Sequence, residues 1–282
     1  MNAKQKKKQA EAQSQRIMQM KQDRKRILTD KSDFYLQEAY KVLRTNLNFT
    51  MADTEGSKVI MVTSALQCEG KSLTALNLAI ALGQTDKKVL LIDCDLRRPR
   101  LARLLNYNAP AGLSNLLMDF KFMDVALLNS EEYGIDLILA GDIPPNPAEL
   151  LSSSRMKKLL ENLRQRYDYI IIDSPPVDLV VDSTELSPMC DGILFVVRVG
   201  QSERGAVIHA MKQLEYAKAK VIGFVFNGVT SETSSGYGKY RYRQYGHYGK
   251  YGRYGYRYGY GAYGYRSSPK KTPQKPQTPE KG

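Results

Sequence analysis

Gly70, Lys71 and Ser72 are three adjacent residues of the types that hold a phosphate chain. They close the stretch Ala65-Leu66-Gln67-Cys68-Glu69-Gly70-Lys71-Ser72, with Leu73 following. This is a P-loop in which Ala65 stands where the first glycine is usual. Backbone N–H groups of such a loop, and of the helix N-terminus after it, point at phosphate oxygens, and the helix dipole favours negative charge there. Gly70 lets the backbone approach closely, Lys71 reaches the terminal phosphates, and the Ser72 hydroxyl ligates Mg²⁺. Three carboxylates extend the chemistry. Asp93 and Asp95 follow the apolar run Val89-Leu90-Leu91-Ile92, and Asp173 follows Tyr169-Ile170-Ile171-Ile172. A carboxylate closing an apolar strand is costly without a metal or hydrogen-bond partner, and Mg²⁺ beside the P-loop supplies one. Any one of them alone could be a helix cap. Three together in a P-loop chain read as a site, with Asp173 as the Walker-B acid contacting the metal through a water.

Those residues need strands ending at one edge of a sheet. Runs rich in Val, Ile and Leu predict strands at 58–64, 89–93, 135–140, 169–173, 192–199 and 221–227. Helices are expected at 71–84, 148–151, 155–166, 184–189 and 204–217. Most of the strand runs lack alternation, as expected where helices cover both faces. Strand and helix in turn give an α/β fold, a doubly wound and mostly parallel sheet. Ligands of such a sheet sit at the carboxyl ends of its strands.

The 282 residues suit one ordinary domain with extensions. Cys68, Cys94 and Cys190 have no paired spacing, which argues against a disulfide framework or a zinc site and for a reducing compartment. No apolar run reaches the roughly 18–20 residues needed to span a bilayer, and no apolar segment follows the charged N-terminus as in a signal peptide. The expected location is cytoplasmic, with any membrane contact peripheral or through a partner.

The net charge of +13 is unevenly placed. Residues 1–33 carry +6, residues 236–282 carry +10, and the segment between carries −3. A mildly acidic domain (34–230) thus lies between a basic N-terminal arm (1–33) and a tail (231–282). Basic arms suit acidic partners, and the N-terminal one suits weak contact with anionic membrane. Residues 4–27 offer too little apolar surface for a core, so frayed helix or disorder is expected there. Residues 34–49 have apolar positions at helical spacing. Glu38, Lys41 and Arg44 lie three apart and so share one face of that helix, either as a solvated ion-pair row or as a face that meets another subunit.

The tail holds Tyr237, Tyr240, Tyr242, Tyr245, Tyr248, Tyr251, Tyr254, Tyr256, Tyr258, Tyr260, Tyr263 and Tyr265, set among Gly, Arg and Lys. With Ala262 as the one aliphatic residue between 236 and 266, it cannot build a core and reads as disordered. In isolation such a stretch suggests stacking on nucleic-acid bases.

Together these features resemble one family, the bacterial tyrosine kinases, and within it the free-standing cytoplasmic kinases of Gram-positive capsule and exopolysaccharide operons. The resemblance rests on Glu38-x-x-Lys41-x-x-Arg44, the P-loop ending Gly70-Lys71-Ser72, Asp93-x-Asp95-x-Arg97, Ile172-Asp173-Ser174-Pro175-Pro176, Asn146-Pro147-Ala148-Glu149-Leu150-Leu151 and the Tyr-rich tail. It covers about residues 34–265. It implies a P-loop NTPase fold of the SIMIBI/MinD-like kind and an ATP- and Mg²⁺-dependent protein-tyrosine kinase that phosphorylates its own tail in trans. Asp93 would orient the attacking phenol and, with Ser72 and Asp173, hold Mg²⁺, and Asp95 would support it. Arg97 and Arg98 would meet phosphate or acidic neighbours, and Asn227 would recognise adenine. The resemblance further implies a ring homo-oligomer through the Glu38/Lys41/Arg44 helix and a transmembrane activator whose cytoplasmic tail docks on the kinase, holding it at the inner face of the membrane. Protein substrates in polysaccharide synthesis and a protein-tyrosine phosphatase complete the implied partners. Two positions depart from the pattern. Gln67-Cys68 stands where Pro-Gly is frequent, and Lys41 replaces an Arg, keeping the charge but losing the planar fork.

Two other readings share parts of this sequence. A positioning ATPase of the ParA/MinD kind uses the same sheet but carries a signature Lys five residues before the P-loop Lys, where this chain has Leu66. A nucleotide-sensing scaffold that binds nucleic acid would use the basic tail. The resemblance favours the kinase over both, and makes nucleic acid an unexpected partner.

Overall fold

A computed structural model describes residue 18 and residues 21–229. Its elements are α1 (Phe34–Thr50), β1 (Lys58–Ser64), α2 (Lys71–Gly83), β2 (Val89–Asp93), α3 (Leu101–Leu105), α4 (Leu113–Met118), α5 (Met123–Ala126), β3 (Leu127–Ser130), β4 (Ile135–Ile138), α6 (Pro147–Leu151), α7 (Ser154–Arg164), β5 (Tyr169–Asp173), α8 (Asp182–Leu186), β6 (Gly192–Arg198), α9 (Arg204–Tyr216) and β7 (Val221–Asn227). The strands form one seven-stranded sheet in the order β3-β4-β2-β5-β1-β6-β7. All pairs are parallel except β3 with β4.

Successive side chains of a strand point to opposite faces, and here both faces are dry. Met61, Leu90, Ile92, Ile170, Ile172 and Phe195 enter one core under α4, α7 and α9. Ile60, Val62, Leu91, Ile171 and Val196 enter a second core under α1 and α2. This accounts for the unbroken apolar runs of the central strands. It also places β1, β2 and β5 side by side, with Asp93 directly opposite Asp173 across the β2–β5 pair.

Each strand expected from sequence is present, with ends shifted by a few residues. The helix expected at 184–189 is α8 followed by a 3₁₀ turn, Ser187–Met189. The segments α3, α4, α5 and β3 were not expected. The end of the basic arm also differs from expectation. Ile27 and Leu28 are buried in the second core, so this part of residues 1–33 belongs to the folded domain. Asp33 closes it as the N-cap of α1, its carboxylate accepting from Leu36 N at 2.9 Å. The tail tyrosines lie outside the described residues. No described helix is long and apolar enough to cross a membrane.

Candidate active site

The P-loop leaves β1 at Ser64 and enters α2 at Lys71. Gly70 has φ +97°, and an added Cβ would sit 1.9 Å from the Asn227 side-chain nitrogen. Only glycine fits this combination of left-handed backbone and close neighbour. Cys68 also has a left-handed backbone, φ +65°, at the position where the family pattern often carries glycine.

Glu69 does not face a ligand. It is buried, and its carboxylate accepts from Leu66 N at 2.8 Å and from the Ser202 hydroxyl. It thereby ties the loop to the turn after β6. Asn227, at the end of β7, donates from its amide to Glu69 O at 2.9 Å, which brings the expected base-recognition residue against the back of the P-loop.

Lys71 is the centre of the site. Its ammonium lies 2.9 Å from Asp95 and 3.7 Å from Asp173, and all three side chains are buried. Burial alone lowers the pKa of the lysine, but the charges of Asp173, Asp95 and Asp93 outweigh it and leave the ammonium above its ordinary value. Asp93 is wholly buried. Its oxygens accept from Asp95 N at 3.1 Å and Leu101 N at 3.2 Å. Burial, and then the charges of Asp173 and Asp95, push its pKa well up. Burial also raises Asp173, with Lys71 and the Ser72 hydroxyl offsetting part of the rise.

Three buried carboxylates face one ammonium, so the site as it stands carries excess negative charge in a dry setting. Neither oxygen of Asp173 has a hydrogen-bond partner of ordinary geometry. An orphaned buried carboxylate beside a P-loop serine fits Mg²⁺, which binds through one or two carboxylates, waters and the phosphates of its substrate. Among the described residues no three His, Cys, Asp or Glu side chains are grouped so as to hold a metal ion by themselves.

The arginines after Asp95 divide. Arg98 donates to the Gln67 side chain at 2.6 Å, and Arg100 reaches the Cys68 sulfur at 3.2 Å, so both cross the P-loop. Sequence reasoning missed Arg100, although its place one residue after Pro99 in a basic run was a signal. Arg97 turns away and grips Asp182 with two bonds of 2.8 and 2.9 Å, so its partner is an acidic neighbour. Asp182 is fully buried, and a buried carboxylate stripped of its partner keeps its desolvation cost. Arg97→Ala is expected to lower unfolding free energy by about 2 kcal/mol, the loss of a charge-assisted bond. Double substitution with Asp182→Asn is expected to recover part of that in urea denaturation.

The Glu38/Lys41/Arg44 triplet lies on α1, away from these groups. Glu38 and Lys41 pair at 2.8 Å. Arg44 instead donates to Ala81 O at 2.6 Å, near the end of α2.

Residues 57–217 match the family model described as an AAA domain. The chain is 40% identical over 203 residues to tyrosine-protein kinase YwqD of Bacillus subtilis, covering 72% of this chain and 85% of that protein. It is 36% identical to tyrosine-protein kinase Etk of Escherichia coli, but spans only 27% of that longer protein. The solved kinase domain of Etk superposes with a TM-score of 0.67 over 72% of this chain and 79% of that one. Cell-division ATPase MinD of Pyrococcus furiosus, at 22% identity, a TM-score of 0.52 and coverage of 62% of this chain and 74% of its own, shares the fold.

Proposed function

Because this chain belongs to the bacterial tyrosine-protein kinase family, we propose that it transfers the γ-phosphate of ATP to tyrosine, with the Tyr cluster at 237–265 of another copy as a substrate. The observation that carries this reading is the buried Lys71 ammonium set among Asp95, Asp173 and Asp93 at the mouth of the P-loop. Phosphoryl transfer requires little covalent help from the protein. It needs positioning, and charge neutralisation on the phosphates. The P-loop amides and Lys71 supply both, and Arg98 and Arg100 are two further cations across the loop. Ser72 and Asp173 would hold Mg²⁺, with Asp93 beside them, and the ion would neutralise charge on the β- and γ-phosphates.

The phenol is a weak nucleophile near its ordinary pKa of about 10. A carboxylate must therefore orient its hydroxyl and take the proton. Asp93 suits this role: burial makes it a stronger base than an exposed carboxylate, and each oxygen accepts one backbone hydrogen bond while keeping a second lone pair. Asp95 acts through Lys71.

The same reading gives α1 a part in a ring of subunits, with the exposed Lys41 and its half-buried partner Glu38 turned to a neighbour and Arg44 anchoring the helix. It gives the kinase a membrane-bound activator, and a role in polysaccharide synthesis under phosphatase control. Each phosphate adds roughly −1.5 to −2, so about six would cancel the +10 of the tail. A tail so charged would weaken ring packing.

The test incubates the full chain with ATP, Mg²⁺ and an added tyrosine peptide, with and without the cytoplasmic tail of the membrane partner, and reads phosphotyrosine. Phosphate on the peptide and on the tail is the expected result. ATP hydrolysis stimulated by lipid or nucleic acid, with no phosphotyrosine under either condition, would move the assignment to a positioning ATPase or a scaffold.

A further inference from the structure

Residues 24–28 form a strap that joins the two helices opening onto the site. On one side it is held by Asn77, a wholly buried residue of the P-loop helix α2. The Asn77 amide accepts from Leu28 N and donates to Arg26 O, both at 2.8 Å. Ile27 and Leu28 sink into the core shared by α2 and α3. On the other side, the Arg24 guanidinium caps α3. It donates to Leu104 O at 3.1 Å, to Arg103 O at 2.5 Å and to the Asn106 side chain at 3.3 Å.

Helix α3 needs that cap. It has five residues, well under the roughly 12–15 that hold a helix on their own. The last carbonyls of any helix lack partners within it, and a cation there is favoured by the dipole. Arg24 supplies both donors and charge from about 80 residues earlier in the chain. At its opposite end α3 presents Leu101 N–H to the Asp93 carboxylate. Among the described residues the Asp93 carboxylate accepts this bond and one other, from Asp95 N in the same loop. The direction in which Asp93 faces is therefore set by where α3 lies.

We propose that Arg24 is a positioning residue for phosphotransfer: by clamping the C-terminal end of α3 it keeps Leu101 N–H on Asp93 and so fixes the carboxylate that meets the phenol. The inference rests on the reading of Asp93 given above. Arg24 bonds the far end of α3 and not the P-loop, so its effect falls on turnover more than on ATP binding, the loop before α3 reaching the P-loop through the side chains of Asp95, Arg98 and Arg100.

The test measures kcat and KM for ATP with the full chain and a tyrosine peptide, well below the unfolding temperature. Arg24→Ala is expected to lower kcat about five- to tenfold and to change KM less than twofold. Arg24→Lys keeps the charge but loses the fork, and is expected to fall between. In an Asp93→Asn background, Arg24→Ala is expected to add no further loss, because its route is gone. Arg164→Ala breaks a half-buried ion pair with Asp191 at the other end of the sheet and serves as the stability control, with kcat expected near wild type. Wild-type kcat in Arg24→Ala, while Asp93→Asn is impaired, would overturn the role of Arg24 and leave the kinase reading standing. Wild-type kcat in Asp93→Asn would overturn the reading of Asp93, and the inference with it. An equal loss in Arg164→Ala would show a general effect of stability and likewise overturn it.

Discussion

Lys71→Met is expected to lower phosphotransfer about a thousandfold, the upper end of what one preorganised charge supplies, and to destabilise the ligand-free protein. The two effects have one cause. Methionine fills nearly the volume of the lysine stem, so packing against the P-loop survives. The ammonium does not, and Asp95, Asp173 and Asp93 are left facing one another in a dry pocket. Removing one partner of a buried ion pair costs about 3–5 kcal/mol, and here three carboxylates lose their common partner. The raised pKa of Lys71 fixes the pH range. Its contribution is fully present below the ordinary lysine value and is lost only as pH rises through the folded one, so the destabilisation spans the physiological range. Phosphotyrosine yield and urea unfolding at pH 7 check both halves. A variant inactive yet as stable as wild type would show that the cluster is solvated, and that Lys71 acts on the nucleotide alone.

The site was legible in the sequence where chemistry and periodicity coincide. Val59-Ile60-Met61-Val62 can only be a buried strand, 73–82 is a run of Ala and Leu at helical spacing, and Gly70-Lys71-Ser72 lies between them. The carboxylates were legible because an acid ending an apolar run demands a partner. Their relative placement was not. That Asp93 stands opposite Asp173 follows from strand order, and strand order is set by tertiary pairing between residues some 80 positions apart. Likewise β3 has four residues, and its edge position is fixed by β4 rather than by its own composition.

The strap was hidden for a related reason. Ile27 and Leu28 are two apolar residues in a charged arm, too few to signal a core by themselves, and they complete one that α2 and α3 build. A signal did exist on the other side. Asn77 stands between Leu76 and Leu78 in an apolar helix that is almost wholly buried, and a buried amide needs partners. Those partners are the backbone of residues 26 and 28. Arg44 shows the reverse case. Its spacing with Glu38 and Lys41 is regular, but α1 lies against α2, and the nearest strong acceptor is Ala81 O rather than a side chain on its own helix.

Asp173→Asn is expected to act with the opposite sign on stability. It should abolish nearly all phosphotransfer, by about a thousandfold, yet raise the unfolding free energy of the metal-free protein by about 1–2 kcal/mol, which for a domain of this size is about 2–8 °C in Tm. Asparagine keeps the shape of the side chain and can donate to the neighbouring carboxylates, so the excess charge of the site falls while Lys71 retains Asp95 at 2.9 Å. The sign follows from the raised pKa of Asp173, caused first by burial. An acid whose folded pKa exceeds its unfolded value opposes folding when ionised. That cost is absent below the unfolded value of about 4, grows as pH rises towards the folded one, and is complete above it. The stability advantage of the variant should accordingly be present at pH 7 and shrink as pH falls to about 4. With Mg²⁺ and ATP the order should reverse, because the ion would make up for the hydrogen bonds the wild-type carboxylate lacks, and the variant cannot gain as much. Thermal unfolding in EDTA and in Mg²⁺-ATP, across that pH range, measures each part. A variant less stable than wild type in EDTA at pH 7 would mean that the orphaned carboxylate is a structural acceptor, and would remove the physical ground for placing Mg²⁺ there. A gain in EDTA combined with a smaller response to Mg²⁺-ATP would tie the instability of the empty site to the ion it is built to hold.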